Sequence, residues 1–273
     1  MKYLVTGHKG FIGSNLLKRL PTDVVKIESD IVNDGDCYNY LEDVVKSVDT
    51  IFHIGAISDT TLQDSTEMLR YNYAFSKELF DLAQKYGKKV IYSSSAACYG
   101  DGGGMPLNIY GWSKLMAEQY GMAKCDNFVA LRYFNVYGPG ENHKGKMSSV
   151  ALQSWNGEIN KLFPQKPKRD FVYIDDIVDA NLHAINSPKG VYEVGSGEAR
   201  TFEDVLDNLG IKYTYHSEDK IPEWYQFYTK SDKSKWLPDW KPKYNLKKGI
   251  KKYMEYFIVG MMPMMGQMVM SMT

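Results

Sequence analysis

Gly7, Gly10 and Gly13 fall within TGHKGFIGS, directly after the apolar run Tyr3–Thr6 and directly before the helically spaced Ile12, Leu16, Leu17 and Leu20. A strand that turns into a helix through residues lacking a Cβ lets the backbone approach a pyrophosphate closely and lets the helix pack against the strand. The helix N-terminus then offers free N–H groups to the phosphates. Isolated glycine triplets arise by chance, and the flanking strand and helix give this one its meaning. The bland alternative is a tight turn without a ligand.

The pattern that follows extends this reading. Short apolar runs rich in β-branched and aromatic residues recur at Tyr3–Thr6, Val24–Ile27, Thr50–Ile54, Lys89–Ser93, Phe128–Tyr133 and Val191–Val194. Several intervals between them carry helical spacing, as in Leu69, Tyr73, Leu79, Leu82 and Ala83. Strand–helix alternation demands parallel pairing with crossovers on both faces, so we expect an α/β fold with a doubly wound, Rossmann-type parallel sheet. After residue 138 the pattern breaks into Gly, Pro and Lys-rich loops and recovers at 171–185 and 191–197. This predicts a dinucleotide-binding domain of residues 1–138 and 169–197, with a smaller substrate lobe of 139–168 and 198–257 around strands that still belong to the sheet. Residues 258–273 contain seven methionines in their last 13 positions, interrupted by Pro263 and Gly266. They fit a membrane span poorly and are expected to form a disordered or loosely packed tail, with a partner-binding or oligomer segment as the alternative.

With 33 basic and 33 acidic residues the formal charge is zero, which supplies no electrostatic footprint for nucleic acid. Small ligands fit better. Cys37, Cys98 and Cys125 match neither a metal knuckle nor a disulfide framework, and no metal site is expected. A reducing cytosol is the simplest setting. MKYLVTG enters a strand at once, so a secretory leader is not expected.

Two further groups carry chemistry. Glu28 and Asp30 follow the second strand, where an acid bonds the ribose hydroxyls of NAD and repels the 2′-phosphate of NADP. Lys9 pulls the other way, so NAD is favoured and NADP stays open. Tyr110 and Lys114 are four apart and share a helical face. An ammonium beside a phenol stabilises the phenolate, and we expect Lys114 to lower the Tyr110 pKa toward working pH. Ser95, past the Lys89–Ser93 run, could hydrogen-bond the substrate hydroxyl or the carbonyl it becomes. A Tyr-x-x-x-Lys pair alone is a weak signal; in order with the glycine turn and a serine-rich strand end it is a strong one.

TGHKGFIGS, HIGA (53–56), SSSAACYG (93–100), YGWSK (110–114) and RYFNVYGPG (132–140) together resemble the extended short-chain dehydrogenase/reductase superfamily of nucleotide-sugar epimerases and dehydratases. Within it, HIGAISDTT, NYAFSKELF, YFNVYGPGENHKGKMSSV, KRDFVYIDD and EWYQFYTKSD are most similar to the ADP-glyceromanno-heptose 6-epimerase family. The paired Thr60 and Thr61, and the His-Lys-Gly of 143–145, are its more telling features. The resemblance implies Ser95, Tyr110 and Lys114 as the catalytic core, with Lys144 as a second acid–base group. For the cofactor it implies Gly7, Gly10, Phe11, Ile12 and Gly13 in the first turn. Glu28, Asp30 and Ile31 follow the second strand, and Gly55, Ala56, Asn72, Tyr110 and Lys114 complete the set. Ser58, Thr60, Ser95, Asn135, His143, Lys144, Arg169 and Tyr225 are implied near a nucleotide-diphosphate sugar, and a homo-oligomer is expected. Three departures bear on the sugar more than on the reaction type. Only ten residues separate Tyr99 from Tyr110, the stretch after the second strand is compressed, and Lys146 stands where a small residue is usual.

A second base has its own rationale. Epimerising a carbinol by oxidation and re-reduction from one cofactor face requires the ketone to present its other face. If the oxygen relocates, a base at the first oxygen position cannot serve the second. The alternative for Lys144 is an exposed or phosphate-contacting lysine, and His143 reads better as a hydrogen-bond partner than as a base. Asp170, Asp175 and Asp176 read as caps of the helix starting near Asp176. Arg169 could clamp a diphosphate. Lys247, Lys248, Lys251 and Lys252 read as the wet face of a helix that buries Ile250, Met254 and Phe257, and the aromatics near 213–240 as packing of the small lobe. A UDP-hexose 4-epimerase, which needs no Lys144, and a non-catalytic dinucleotide-binding regulator are the competing readings. A 4,6-dehydratase is disfavoured because Asn108 and Ile109, not acids, precede Tyr110.

Overall fold

The computed structural model describes residues 1–21, 23–27, 36–62, 64–217 and 225–270, the side chains of 36–39 and 260–270 excepted. Six parallel strands form the main sheet: β1 (Tyr3–Thr6), β2 (Val24–Ile27), β3 (Thr50–His53), β4 (Lys89–Ser95), β5 (Phe128–Tyr133) and β9 (Gly190–Val194). Their order is β2-β1-β3-β4-β5-β9, so the chain reverses its direction of winding between β1 and β3. In such sheets the crevice beyond the strand ends at the reversal is where ligands bind.

Both faces of the sheet are apolar, which explains why its strands read as nearly continuous apolar runs rather than as alternations. Successive side chains point to opposite faces. Tyr3, Val5, Val129 and Leu131 enter one core with α1 (Phe11–Leu17) and α7 (Ile174–Ala184). Leu4, Phe128 and Ala130 enter the other with α2 (Asp36–Ser47) and α4 (Phe75–Lys85). The crossover into α4 runs through α3 (Ser65–Leu69) and a π-helical turn, Arg70–Ala74, and α5 (Ile109–Lys124) packs on the same side as α4.

Above the strand ends sit two small sheets. β6 (Asn135–Tyr137) pairs parallel with β8 (Lys168–Tyr173), and β8 pairs antiparallel with β10 (Ala199–Thr201). β7 (Lys161–Leu162) pairs with β11 (Thr214–Tyr215). Of the two later strand-like stretches, then, only Gly190–Val194 joins the main sheet. α6 (Val150–Trp155) packs against α8 (Phe202–Leu209), the latter opened by a capping box of Thr201 and Asp204.

Three local expectations are corrected. No side chain caps α7: Asp176 accepts from Lys243 N and Tyr244 N, and Asp175 pairs with Lys252. Asp170 is fully buried and accepts five hydrogen bonds, from the backbones of Ser196, Gly197 and Ser231 and from both serine hydroxyls. These aspartates stitch distant loops instead of capping, because a buried carboxylate needs several donors and loop backbones supply them. Along α9 (Leu246–Met270), Ile250 and Phe257 are buried and Lys247, Lys248 and Lys251 exposed, but Lys252 is held in the Asp175 pair. The described backbone of α9 continues as helix through Met270. Among the 213–240 aromatics Trp236 and Trp240 pack edge to face, whereas Tyr215, Phe227 and Tyr228 are exposed. No described helix is long and apolar enough to cross a membrane.

Candidate active site

The reversal between β1 and β3 brings two backbones together. A Cβ on Gly7 would stand 2.4 Å from Gly55 Cα, and one on Gly13 would stand 2.1 Å from the Gly7 carbonyl oxygen. Strand end, turn and helix therefore touch through bare backbone, and only glycine fits; the cradle suits a dinucleotide diphosphate. A buried hydrogen-bond chain holds it. Thr6 Oγ1 accepts from Gly55 N (3.0 Å) and meets His53 Nδ1 at 2.7 Å. His53 Nε2 meets Ser76 Oγ at 2.7 Å, and that hydroxyl donates to the Asn72 carbonyl (2.6 Å). Since the Ser76 proton is committed to Asn72, Nε2 must donate to it and Nδ1 must accept from Thr6. Burial, reinforced by the Lys114 charge, pushes His53 down to about 3, which keeps the ring neutral and the chain directed.

Asn72 stands behind the crevice wall, outside the lining of the cleft. Its amide is spent on Ile57 N (2.8 Å), Ile57 O (2.9 Å) and Ser113 Oγ (3.0 Å), and Ser113 donates to the Tyr110 carbonyl (2.8 Å). It thus ties the loop after β3 to the helix bearing Tyr110. Glu28, Asp30 and Ile31 lie outside the described residues.

Ser95 ends β4. Its hydroxyl accepts from Ala97 N (3.1 Å), capping the short turn Ala96–Tyr99, and hydrogen-bonds Tyr110. Asn108 caps α5 through Gly111 N (2.8 Å), which sets Tyr110 and Lys114 on its first turns. Burial pushes the Tyr110 phenol up to about 12, opposed by the Ser95 hydrogen bond. This is the opposite of the lowering expected from Lys114. Desolvation is the reason, and it acts on Lys114 as well, bringing that ammonium down to about 8 against the raising effect of Cys98 and Glu118. Lys114 Nζ lies 4.7 Å from the centre of the Tyr92 ring. One turn beyond Lys114, buried Glu118 accepts from Ser94 Oγ and takes a two-pronged ion pair from Arg132. The i,i+4 spacing from Lys114 was the available signal for Glu118, which the sequence reading passed over.

The facing wall comes from the loop after β6. Asn15 donates to Pro139 O (2.9 Å), joining the loop to α1. Lys144 Nζ lies 5.6 Å from the centre of the Phe11 ring, and burial lowers its pKa against a raising effect of Glu141. Arg169 is buried with its guanidinium 4.7 Å from the Tyr225 ring centre and does not itself line the cleft. Tyr225 also packs against Phe163 at 6.1 Å. Gln226 donates to Ala96 O and Gly100 O, and Asp101 accepts from Phe227 N and Tyr228 N, so this wall is fastened to the loop beyond Ser95.

These walls enclose one cleft of about 930 Å³. Gly7, Gly10, Phe11, Ile12, Gly13, Gly55, Ala56, Ser58, Thr60, Ser95, Tyr110, Lys114, Asn135, His143, Lys144 and Tyr225 all line it. Lys146, Lys161 and Phe163, which the site reading did not include, line it too. Among the described lining residues, Lys114, Lys144, Lys146 and Lys161 face a single acid, Asp59, so this part of the cleft favours an anion although the whole chain is neutral. Among the described residues no group of three or more His, Cys, Asp or Glu side chains could hold a metal ion.

Strand order, glycine cradle and the Ser95, Tyr110 and Lys114 grouping define a Rossmann-type α/β protein. Residues 3–195 match the NAD dependent epimerase/dehydratase family, and the chain belongs to it. The Helicobacter pylori ADP-L-glycero-D-manno-heptose-6-epimerase superposes with a TM-score of 0.81 at 30% identity, over 93% of this chain and 95% of the other. UDP-glucose 4-epimerase from Thermotoga maritima, solved with UDP-glucose, gives 0.81 at 25% identity, over 96% of this chain and 100% of the other. A structure of MoeE5 with UDP-glucose and NAD shares the fold at 0.81 and 24% identity, over 96% and 100% of the two chains.

Proposed function

We propose that this enzyme inverts one carbinol of a nucleotide-diphosphate sugar, with an ADP-heptose altered at C6 as the substrate the sequence favours and NAD as the resident cofactor. The observation that carries the reading is the convergence of the glycine cradle, Ser95, Tyr110 and Lys144 on one cationic cleft. The nicotinamide, when bound, takes up and returns the hydrogen of the reacting carbon with its electron pair. Tyr110 removes the hydroxyl proton, and Ser95 holds the same oxygen as it becomes a carbonyl. Lys114 carries the charge that favours the Tyr110 phenolate once the cleft is filled. The ketone then offers its other face, and Lys144, whose half-buried amine gives up its proton more readily than an exposed lysine, returns the proton at the second oxygen position. Arg169 through Tyr225, with Lys161, supports the diphosphate end. The exposed Trp112 and Met116 on α5 support a homo-oligomer, which sedimentation tests.

Incubating the protein with ADP-, UDP- and GDP-sugars and resolving the products by NMR tests the assignment. Inversion of the ADP-heptose is the expected result. Inversion of a UDP-hexose alone, undiminished in Lys144→Met, makes the protein a 4-epimerase, and no inversion of any sugar removes the reading.

A further inference from the structure

Glu141 is fully buried on the loop that carries Lys144, and four hydrogen bonds converge on its carboxylate. Oε1 accepts from Gly138 N (3.2 Å), Ser149 Oγ (2.7 Å) and Tyr253 OH (3.1 Å), and Oε2 from Ser149 N (2.6 Å). Gly138 and Ser149 bracket the loop, so one side chain closes it at both ends. The Glu141 carbonyl accepts the Lys144 N–H (3.0 Å), which makes Glu141 the nearest backbone anchor of that lysine.

The fourth donor comes from far along the chain. Tyr253 is fully buried on α9, 112 positions after Glu141. That helix approaches the root of the loop closely because residue 249 is glycine: a Cβ there would stand 2.0 Å from the Tyr137 hydroxyl, and Tyr137 immediately precedes Gly138. One turn beyond Tyr253, Phe257 stacks on Trp155 of α6 at 4.7 Å and 13°, and α6 begins just after Ser149. The same helix therefore braces both roots of the loop.

We propose that Glu141 and Tyr253 are positioning residues for Lys144, forming a clamp through which α9 holds the 138–149 loop in the geometry needed for the second proton transfer. This rests on the reading of Lys144 as an acid–base group. The loop has no regular strand or α-helix of its own and kinks at Gly145 (φ 50°), so its placement depends on such anchors. A displacement of about 1 Å in a reacting group is enough to cost on the order of 10- to 100-fold in rate.

The test uses the full chain with its cofactor and Tyr253→Phe, which deletes one oxygen and leaves the aromatic packing. Hydrogen exchange at the Lys144 and Ser149 amides is expected to accelerate about tenfold, as expected when a local anchor is lost. Turnover of ADP-D-glycero-D-manno-heptose is expected to fall about tenfold with KM unchanged, the signature of a lost transition-state interaction. Glu141→Gln is the second variant, with effects in the same direction. Unaltered exchange overturns the clamp whatever the substrate, and faster exchange with unaltered turnover reduces it to a structural tie. Full turnover in Lys144→Met removes the acid–base reading and the positioning role with it. A wild-type protein that turns over neither ADP-heptose nor a UDP-hexose removes the function reading, while the exchange arm still reports on the clamp.

Discussion

The two walls of the cleft are built by different means. On the cofactor wall, Gly7, Gly55 and Ser95 sit at or just beyond strand ends of one parallel sheet and Tyr110 on the first turn of the helix packed against it, so their spacing follows from backbone pairing and from glycines in direct contact. On the substrate wall, Lys144 and Tyr225 lie on irregular segments held by side chains reaching across more than a hundred residues, as Glu141 to Tyr253 and Gln226 to Gly100 do. A sheet fixes chemistry cheaply and in one place. A wall hung from distant anchors can change its ligand without disturbing the sheet, which is where one fold acquires different substrates.

If this contrast holds, lesions on the first wall act on cofactor retention and the first proton, and lesions on the second act on turnover with cofactor in place. Gly13→Ala should have the largest effect, because its Cβ would stand 2.1 Å from the Gly7 carbonyl. The purified variant is expected to release no nicotinamide dinucleotide on denaturation where the wild type does, and equal amounts from both would break the contrast at its firmest point. Lys144→Met should stop inversion in both directions, since each direction needs both proton transfers, while retaining cofactor. A raised KM with unchanged turnover would instead make that lysine a phosphate contact. Tyr110→Phe should lower turnover by at least ~10²-fold, the range for loss of a general base, with cofactor kept; near-normal rates would mean the base lies elsewhere.

The smallest effect on turnover is expected at His53, whose signature is stability. Its folded pKa of about 3 lies below the unfolded value, so the native state holds fewer protons between the two and stability falls as pH drops through that window. Between pH 7 and pH 4 the wild type should lose about 3 kcal/mol more than His53→Gln in urea unfolding, at 1.36 kcal/mol per pKa unit. Parallel losses in the two proteins would show that the Thr6–His53–Ser76 chain is not locked neutral.

The difference between the walls also decided what could be read from the sequence. The main strands, the glycine turn and the placing of Tyr110 and Lys114 on one helix follow local rules of period and spacing, and they stand where those rules put them. Lys168–Tyr173 has the composition of a sheet strand yet pairs in a small separate sheet, because partner choice is not encoded in one strand's own residues. Asp170 and Asp176 look like caps locally but bond loops tens of residues away, and the anchors Glu141 and Tyr253 have no meaning until the chain is folded. The direction of the Tyr110 shift was missed for a similar reason: spacing puts Lys114 on the same helix, but only the packed structure sets how strongly burial opposes ionisation.

The central claim is that the reacting carbon loses and regains its own hydrogen inside one cleft. Turning over the accepted nucleotide sugar in deuterium oxide and reading that carbon by NMR tests this directly. The account predicts an inverted product that still carries protium there, with deuterium confined to exchangeable hydroxyls. Deuterium on the inverted carbon would contradict it and point to inversion by proton abstraction from carbon.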